Sequence, residues 1–574
     1  MPWALRWVGA AVAVTAATWV SGADGVELRP WAVVFGVAVL VAALVVRARY
    51  GGLALDAPRI ALGALVGWIA VLAVTLTVSP SDAAAVVATG VVAWGLCVLV
   101  ADWRARAWAC GTVAGLGACS GLLLVVGRWI EGVRSDGLLG NPNLSAAVAL
   151  LGFASTPFVR LPIATRWIMG AASALGIVVS GSRASVLGLA AVAIVWFLLG
   201  PARRSARLVA AGVLVVGLGA FAVRLATDRD PLRWERVRIW GVALQVARDH
   251  LPWGTGPAGF ADAAISRNFP QLDRPARYGL VPDRAESDFL QLAATVGVPG
   301  MGLVVWLVLA LAWRARRAGP HAWGCLAALA VTSAFHTQLP VPVVAWTAGL
   351  SLAAAVPASR RQRTRTSVPT VLGCGVLAGT LVAVAIVQPS WWLGGRPDDH
   401  LATARALAAA GPRSAARLAD AEALVSRTVA LRPGWGEGWR VRGVLRAARA
   451  SLSDDAMLWA AARDDLTRAR ACNPLDALAA LDLGRTLRRL EATDPARAAL
   501  RAAVRLEPNL VGAWLELAQL DVEQGRVEAA RGAFERAKRA LAARPGQPTA
   551  YEQALSSFDP STLIQLAATL REAR

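Results

Sequence analysis

Apolar runs long enough to cross a bilayer recur through the first 390 residues of this chain, and they restrict its fold more than any motif does. At ~1.5 Å per residue, a hydrocarbon layer of ~30 Å takes about twenty residues, and each backbone amide inside it must be satisfied within its own segment. Such runs therefore fold as helices. Counting them gives about thirteen spans, over residues 3–21, 31–46, 59–78, 83–101, 107–126, 143–158, 163–180, 184–200, 207–224, 288–313, 322–338, 341–356 and 368–389. Of the 574 residues, 56% are hydrophobic and only 17% charged, which places the chain among polytopic membrane proteins.

The net charge of +21 would suggest nucleic acid in a soluble chain. Here the arginines sit in short loops between apolar runs, where they set orientation and meet anionic headgroups, so membrane lipids are the expected partner and nucleic acid is not. Arg47 and Arg49, Arg104 and Arg106, Arg160 and Arg166, Arg203 and Arg204, Arg314 to Arg317 and the run SRRQRTR at 359–365 fall on the side of the N-terminus, which predicts that side as cytoplasmic. The opposite face then receives GVRSDGLLGNPN, the turn SGSRAS, a polar loop at 226–285, the HTQLPVP turn and everything after Gln388. The first run carries only Arg6 and shows no convincing cleavage site before Arg29, which reads as an uncleaved signal anchor. Cys97, Cys110, Cys119, Cys325 and Cys374 lie in apolar runs and Cys472 in a helical pattern, with no CxxC spacing, so neither a disulfide framework nor a metal site is expected.

After the pair Trp391 and Trp392 the composition turns to Ala, Arg, Leu and acidic residues, and a soluble domain is expected over 395–574. Three stretches there repeat a helix, a proline and another helix, with prolines at Pro433, Pro474 and Pro508. The second interval, 34 residues, is the tetratricopeptide period, and the first is longer by seven, as an insertion near SLSDDAM would make it. Stacked helix pairs forming about three to four units follow, with a protein partner expected for their concave face. The expected fold class is thus all-α: a polytopic transmembrane helical bundle over 1–390, then a tetratricopeptide-like α-solenoid.

The loop at 226–285 is long for a membrane half whose other connections are short. Asp230 and Pro231 signal a helix start and Pro252 a stop, predicting a helix over about 231–250. A wheel gives it an apolar stripe of Val237, Trp240, Leu244 and Ala247, with Arg233 and Arg236 toward that stripe and Glu235 and Arg238 away from it. The same pattern also suits an interfacial helix whose arginines touch lipid phosphates. Arg183, in VVSGSRAS between two apolar runs, is costly at that depth unless paired, which makes it a site candidate beside the plainer reading of a snorkelling side chain. Asn141 and Asn143 flank a proline in NPN and read as a turn with a helix cap.

Taken in order, GLLGNPN, GSRAS, RVRIW with DHLPWGTGPAGF, and SDFLQ leading to GVPG resemble the O-antigen ligase and polymerase superfamily of bacterial envelope glycosyltransferases, over roughly residues 135–305. The resemblance implies transfer of a glycan from a polyprenyl-diphosphate carrier to an acceptor hydroxyl on the outer face of the inner membrane, with no metal and no other cofactor. The acceptor is a glycan, a glycolipid or a protein. Arg183 and Arg236 match the family's phosphate-binding positions, and Asn141, Asn143, Arg233 and Trp240 are candidate substrate contacts beside them. Relatives usually carry His-Asn or His-Ser where this chain has Glu286 and Ser287. The expectation is that Glu286 takes the histidine's place as base, with partial burial raising its pKa. His336 or Asp288 are the alternatives, as is loss of activity. Two other classes remain: a membrane scaffold that recruits envelope glycan machinery through its repeats, and a transporter, which would place ionisable residues at the bilayer midplane.

Overall fold

The structure is a computed structural model that describes residues 56–76, 80–100, 103–132, 135, 137–199, 204–227, 235–272, 274–356, 397–409, 414–543 and 548–572. The regular structure among the described residues is helical, with no strand. The expected spans at 3–21, 31–46 and 368–389 and the candidate Arg233 lie outside the described residues.

The chain divides into two compact units, residues 1–260 with 284–392, and residues 261–283 with 393–574. The loop read as one extracytoplasmic insertion of the membrane half is therefore shared: its middle, 261–283, packs with the repeats.

In the first unit the helices are α1 (Ala57–Thr75), α2 (Pro80–Leu99), α3 (Trp103–Glu131), α4 (Pro142–Ser155), α5 (Ile163–Ser180), α6 (Arg183–Leu199), α7 (Arg204–Thr227) and α8 (Glu235–Asp249). After the short α9 (Phe260–Ile265), which beyond Phe260 belongs to the second unit, come α10 (Asp288–Ala318), α11 (Pro320–Phe335) and α12 (Pro342–Ala355). Ten of the expected spans coincide with α1–α7 and α10–α12. Among the described residues, four stretches are long and apolar enough to cross a membrane, Ala57–Thr75, Ala105–Ile130, Ile163–Ser180 and Asp288–Ala318, and shorter apolar helices accompany them. The unit is that of a membrane protein.

Small residues let these helices approach closely, as packing in lipid requires. A Cβ on Gly117 of α3 would stand 2.5 Å from the Gly152 Cα of α4, so only glycine fits at that crossing. A buried ion cluster ties α1, α2 and α10 together. Arg59 donates to both oxygens of Asp56, at 2.9 and 2.8 Å, and Arg314 donates to the same carboxylate at 2.8 Å. The remaining Arg59 donors reach the carbonyls of Cys97 and Val100, at 2.8 and 3.2 Å. Arg314, expected as an orienting loop charge, thus also closes one end of the bundle.

The second unit holds α13 (Pro397–Ala409), α14 (Ala415–Leu431), α15 (Gly436–Ser453), α16 (Ala456–Cys472), α17 (Ala477–Arg489), α18 (Thr493–Leu506), α19 (Val511–Glu523), α20 (Val527–Ala542), α21 (Ala550–Leu555) and α22 (Pro560–Glu572). The tight pairs are α13 with α14, α15 with α16, α17 with α18 and α19 with α20, so the prolines mark turns between pairs. Repetition shows in the side chains too. Trp439 donates to the Pro433 carbonyl at 2.7 Å, and Trp514 donates to the Pro508 carbonyl at 2.8 Å. The extra residues of the first interval go into α15 and α16, of 18 and 17 residues against 13 and 14 for α17 and α18.

Candidate functional site

Glu286 stands just before α10, in left-handed backbone (φ 51°), with Ser287 as the N-cap residue. That conformation is unfavourable for a residue with a Cβ and marks a position held by its surroundings. Its neighbours come from the end of α11: Ser287 N donates to the Thr337 hydroxyl at 3.0 Å, and the Ser287 hydroxyl to the Ser333 carbonyl at 3.3 Å. Next to them the Asp288 carboxylate accepts the backbone amides of Gln338 and Leu339, both at 3.0 Å. Asp288 is buried and acts as the anchor of the 337–339 turn, with one oxygen committed to backbone.

Through this anchoring, His336 Nδ1 comes to 3.3 Å from Glu286 Oε2. A carboxylate only accepts, so Nδ1 carries a proton, and in the neutral form of the ring Nε2 is then the nitrogen with the lone pair. Nε2 is buried and has no hydrogen-bond partner among the described residues. Arg236 Nη2 lies 3.7 Å from the same carboxylate oxygen, and its Nη1 donates to the Phe335 carbonyl at 3.3 Å. Trp240, one turn on, packs against Phe335 with ring centroids 6.1 Å apart and directs Nε1 at the Glu286 carbonyl, 3.5 Å away. Arg236, Trp240, Glu286 and His336 thus form one cluster.

Burial pushes the Glu286 carboxyl up, but the His336 hydrogen bond and the charges of His336, Arg236 and Arg284 outweigh it and hold the group below the ordinary glutamate range. The sequence expectation of a raised value is corrected on that ground. Burial and the adjacent Arg284 were foreseeable; His336 and Arg236 converging from separate segments were not.

The wheel drawn for the loop helix also needs correction. The buried face of α8 is Glu235, Ile239, Val242, Ala243 and Val246, whereas Val237 and Leu244 of the expected inner stripe are 52% and 57% exposed. Both faces are apolar, and a helix beside a membrane has two apolar surroundings, protein and lipid, that hydrophobicity alone does not separate. Arg236 sits on the border between the faces and reaches Glu286, while Arg238 is exposed.

Arg183 is the first residue of α6, directly after a left-handed turn at Gly181 (φ 68°) and Ser182. A Cβ on Gly188 of α6 would lie 3.6 Å from Thr332 of α11, and one on Gly324 of α11 would lie 2.6 Å from Trp196 of α6. Eight residues forward on α6 are eight residues back on α11, so the helices run antiparallel. Continued to the helix ends, that register sets Arg183 level with His336 and Thr337. Asn141 caps α4, accepting the amides of Asn143 and Leu144 at 2.9 and 3.4 Å, and this capping is the role the structure gives it. Asn143 is a half-buried residue of the same first turn.

One feature of the site escaped the sequence reading. At Gly297 (φ 62°) α10 breaks, and Pro299 has no amide to return to the preceding turn. The exposed carbonyls of Ala294, Thr295 and Val296 are taken instead by Thr255 N at 2.9 Å, Gly256 N at 3.0 Å and Trp68 Nε1 at 2.9 Å. Val298 N returns a bond to the Pro252 carbonyl at 2.8 Å. The segments PWGTG and VGVPG thus interlock by backbone, and a Cβ on Gly254 or Gly297 would meet the other strand at 2.6 or 2.2 Å. The glycines themselves were the legible signal; their partners were not.

Residues 168–305 match the family described as O-Antigen ligase. This ligase-type segment includes Arg183, Arg236, Trp240, Glu286, Asp288 and both interlocked strands, while Asn141, Asn143 and His336 lie outside it. It supports a glycosyltransferase of the O-antigen ligase kind at the level of family. No curated protein matches the chain. Among solved structures, the crystal structure of MamA is 20% identical, covering 28% of this chain and 82% of that one at a TM-score of 0.23. A second, of MamA protein, is 19% identical, covering 32% and 90% at the same TM-score. Likeness at that level carries no argument about the ligase-type site.

Proposed function

We propose that the protein transfers a glycan from a polyprenyl-diphosphate donor to an acceptor hydroxyl on the outer face of the bacterial inner membrane. The observation that carries this reading is the meeting of Arg236, Glu286 and His336, two of them inside the ligase-type segment. In the reaction the acceptor oxygen forms a bond to the anomeric carbon as the bond from that carbon to the diphosphate oxygen breaks. The acceptor loses a proton, and polyprenyl diphosphate leaves with the bonding electrons. Arginine forks stabilise the charge that develops on phosphate oxygens without a metal, a role assigned here to Arg236 and Arg183.

The base is assigned to His336 Nε2, with Glu286 holding the opposite ring nitrogen and stabilising the imidazolium that forms, as a carboxylate does in a catalytic triad. A carboxylate held below its ordinary range is the weaker base of the two. The histidine that relatives carry at position 286 is thus supplied in this chain from the end of α11. Direct displacement inverts the anomeric centre. The acceptor is a glycan, a glycolipid or a protein.

Purified protein given a polyprenyl-diphosphate-linked glycan and a hydroxyl acceptor is expected to release polyprenyl diphosphate and to yield an inverted product. Undiminished surface polymer in cells carrying Arg236→Ala, Glu286→Ala and His336→Ala separately would overturn the catalytic reading and leave the scaffold.

A further inference from the structure

In the second unit, the residue before each repeat proline, Arg432, Asn473 or Glu507, occupies the same place in the array, at the turn between helix pairs. Two of these three residues hold the segment 261–283. Arg432 grips Asp262 through two nitrogens, Nε to Oδ2 at 3.2 Å and Nη2 to Oδ1 at 2.5 Å. Glu507, fully buried, accepts the backbone amides of Arg277 at 2.8 Å and Tyr278 at 2.6 Å, and the Tyr551 hydroxyl at 3.3 Å. Asn509, just past Pro508, donates to the Pro275 carbonyl at 2.8 Å. Asn473 turns inward instead and accepts the amide of Leu475 at 3.1 Å.

The segment is also braced internally. Asn268 Nδ2 donates to the Leu280 carbonyl at 2.6 Å and Gln271 N to the Arg277 carbonyl at 2.7 Å, so its two arms are closed on each other. Ala276, at the tip, is 4% exposed and belongs to the same apolar cluster as Leu481, Val504 and Leu510. Two backbone amides, one carbonyl, one carboxylate and one small apolar side chain are what a peptide-binding surface reads.

We propose that the repeat array is a peptide receptor whose ligand is this chain's own loop, recognised at the residues before two of the three repeat prolines, Arg432 and Glu507. An array expected to recruit a separate protein thereby engages a segment of its own chain. The array secures a segment that continues, eight residues beyond Tyr278, into Glu286. The proposal does not depend on the chemistry assigned to the membrane unit.

Hydrogen exchange on the full-length protein in detergent tests it. In Glu507→Ala, exchange at the amides of 274–281 is expected to rise by about tenfold or more, and trypsin to cut after Arg277, while α19 and α20 keep their protection. Unchanged exchange there would overturn the proposal. Because Glu507 is buried and its loss could unfold the array, the double variant Arg432→Ala, Asn509→Ala provides a second test from the turns. It is expected to speed exchange over 261–278 severalfold with the helices intact, and protection retained over that segment would equally overturn the reading.

Discussion

His336 Nδ1 and Glu286 Oε2 lie 3.3 Å apart although fifty residues separate them in the sequence. The pairing decides the tautomer of the imidazole, and so which nitrogen can take a proton. If His336 is the base, His336→Ala should lower turnover by about 10²–10⁴-fold, the usual range for a positioned general base. Glu286→Gln, which keeps the shape but not the charge, should lower it by at least about tenfold with a smaller effect on KM. The assay is the rate of polyprenyl diphosphate release. Full activity in His336→Ala with none in Glu286→Gln would return the base role to Glu286.

Acid titration gives an independent check on Glu286. Its carboxyl is held below the ordinary glutamate value of 4.5, so in the folded protein it stays charged where an unfolded glutamate would begin to protonate. A depressed folded value means stability that is present above the unfolded pKa and lost as pH falls through the folded one. The stability that the Glu286 charge contributes over Glu286→Gln should therefore persist down to about 4.5 and be lost as pH falls below it. Unfolding midpoints in a pH series measure this. A difference that disappears well above 4.5 would contradict the basic surroundings described for the group.

Arg183 and Arg236 are separable by substitution with lysine. A guanidinium offers two parallel donors and an ammonium a point charge, so Arg236→Lys and Arg183→Lys should each raise KM for the lipid-linked donor by about tenfold, corresponding to ~1.4 kcal/mol. Alanine at either position should cost more and also lower kcat. Donor saturation curves test both arginines, and a lysine variant with unchanged KM would remove that arginine from the diphosphate site.

The interlock between α10 and the PWGTG strand predicts a steric effect. A methyl group on Gly297 would sit 2.2 Å from the Pro252 carbonyl oxygen, and the backbone there is left-handed. Gly297→Ala should destabilise the membrane unit by about 2–4 kcal/mol, because neither strand can yield without breaking backbone hydrogen bonds. Thermal unfolding in detergent provides the measurement. Gly302, where a Cβ meets nothing within 4 Å, is the control, and equal effects at both glycines would rule out the interlock as the cause.

At the other end of the bundle, Asp56 balances Arg59 and Arg314 with only 1% of its surface exposed. Removing one partner of a buried pair leaves an uncompensated charge, so Asp56→Ala should cost about 3–5 kcal/mol. Thermal unfolding also checks this prediction; a loss under about 1 kcal/mol would mean that water reaches the cluster.

The sequence by itself determined the helices. Apolar runs of spanning length leave the backbone one way to satisfy its amides, which is why the runs at 143–158, 163–180 and 184–200 became α4, α5 and α6 within a few residues. The prolines at Pro433, Pro474 and Pro508 likewise marked the turns of the array, since proline cannot continue a helix. Arg183 was legible as a candidate because charge in an apolar setting is costly, Arg236 from the wheel of its helix, and Glu286, with His336 as its alternative, from the family resemblance.

Only the tertiary structure decided which of them meet. Val237 and Leu244 looked as fit for the core as Val242 and Val246, and the choice between those faces came from what α8 packs against. The direction of the Glu286 shift was set by Arg284, two residues before it, together with His336 and Arg236, which no spacing connects to it. Residues 261–283 read as a loop of the membrane half, yet Glu507 and Arg432 hold them in the repeat unit. Local sequence fixes backbone conformation through terms that act within a few residues. Partnership between distant side chains depends on packing that no local term contains.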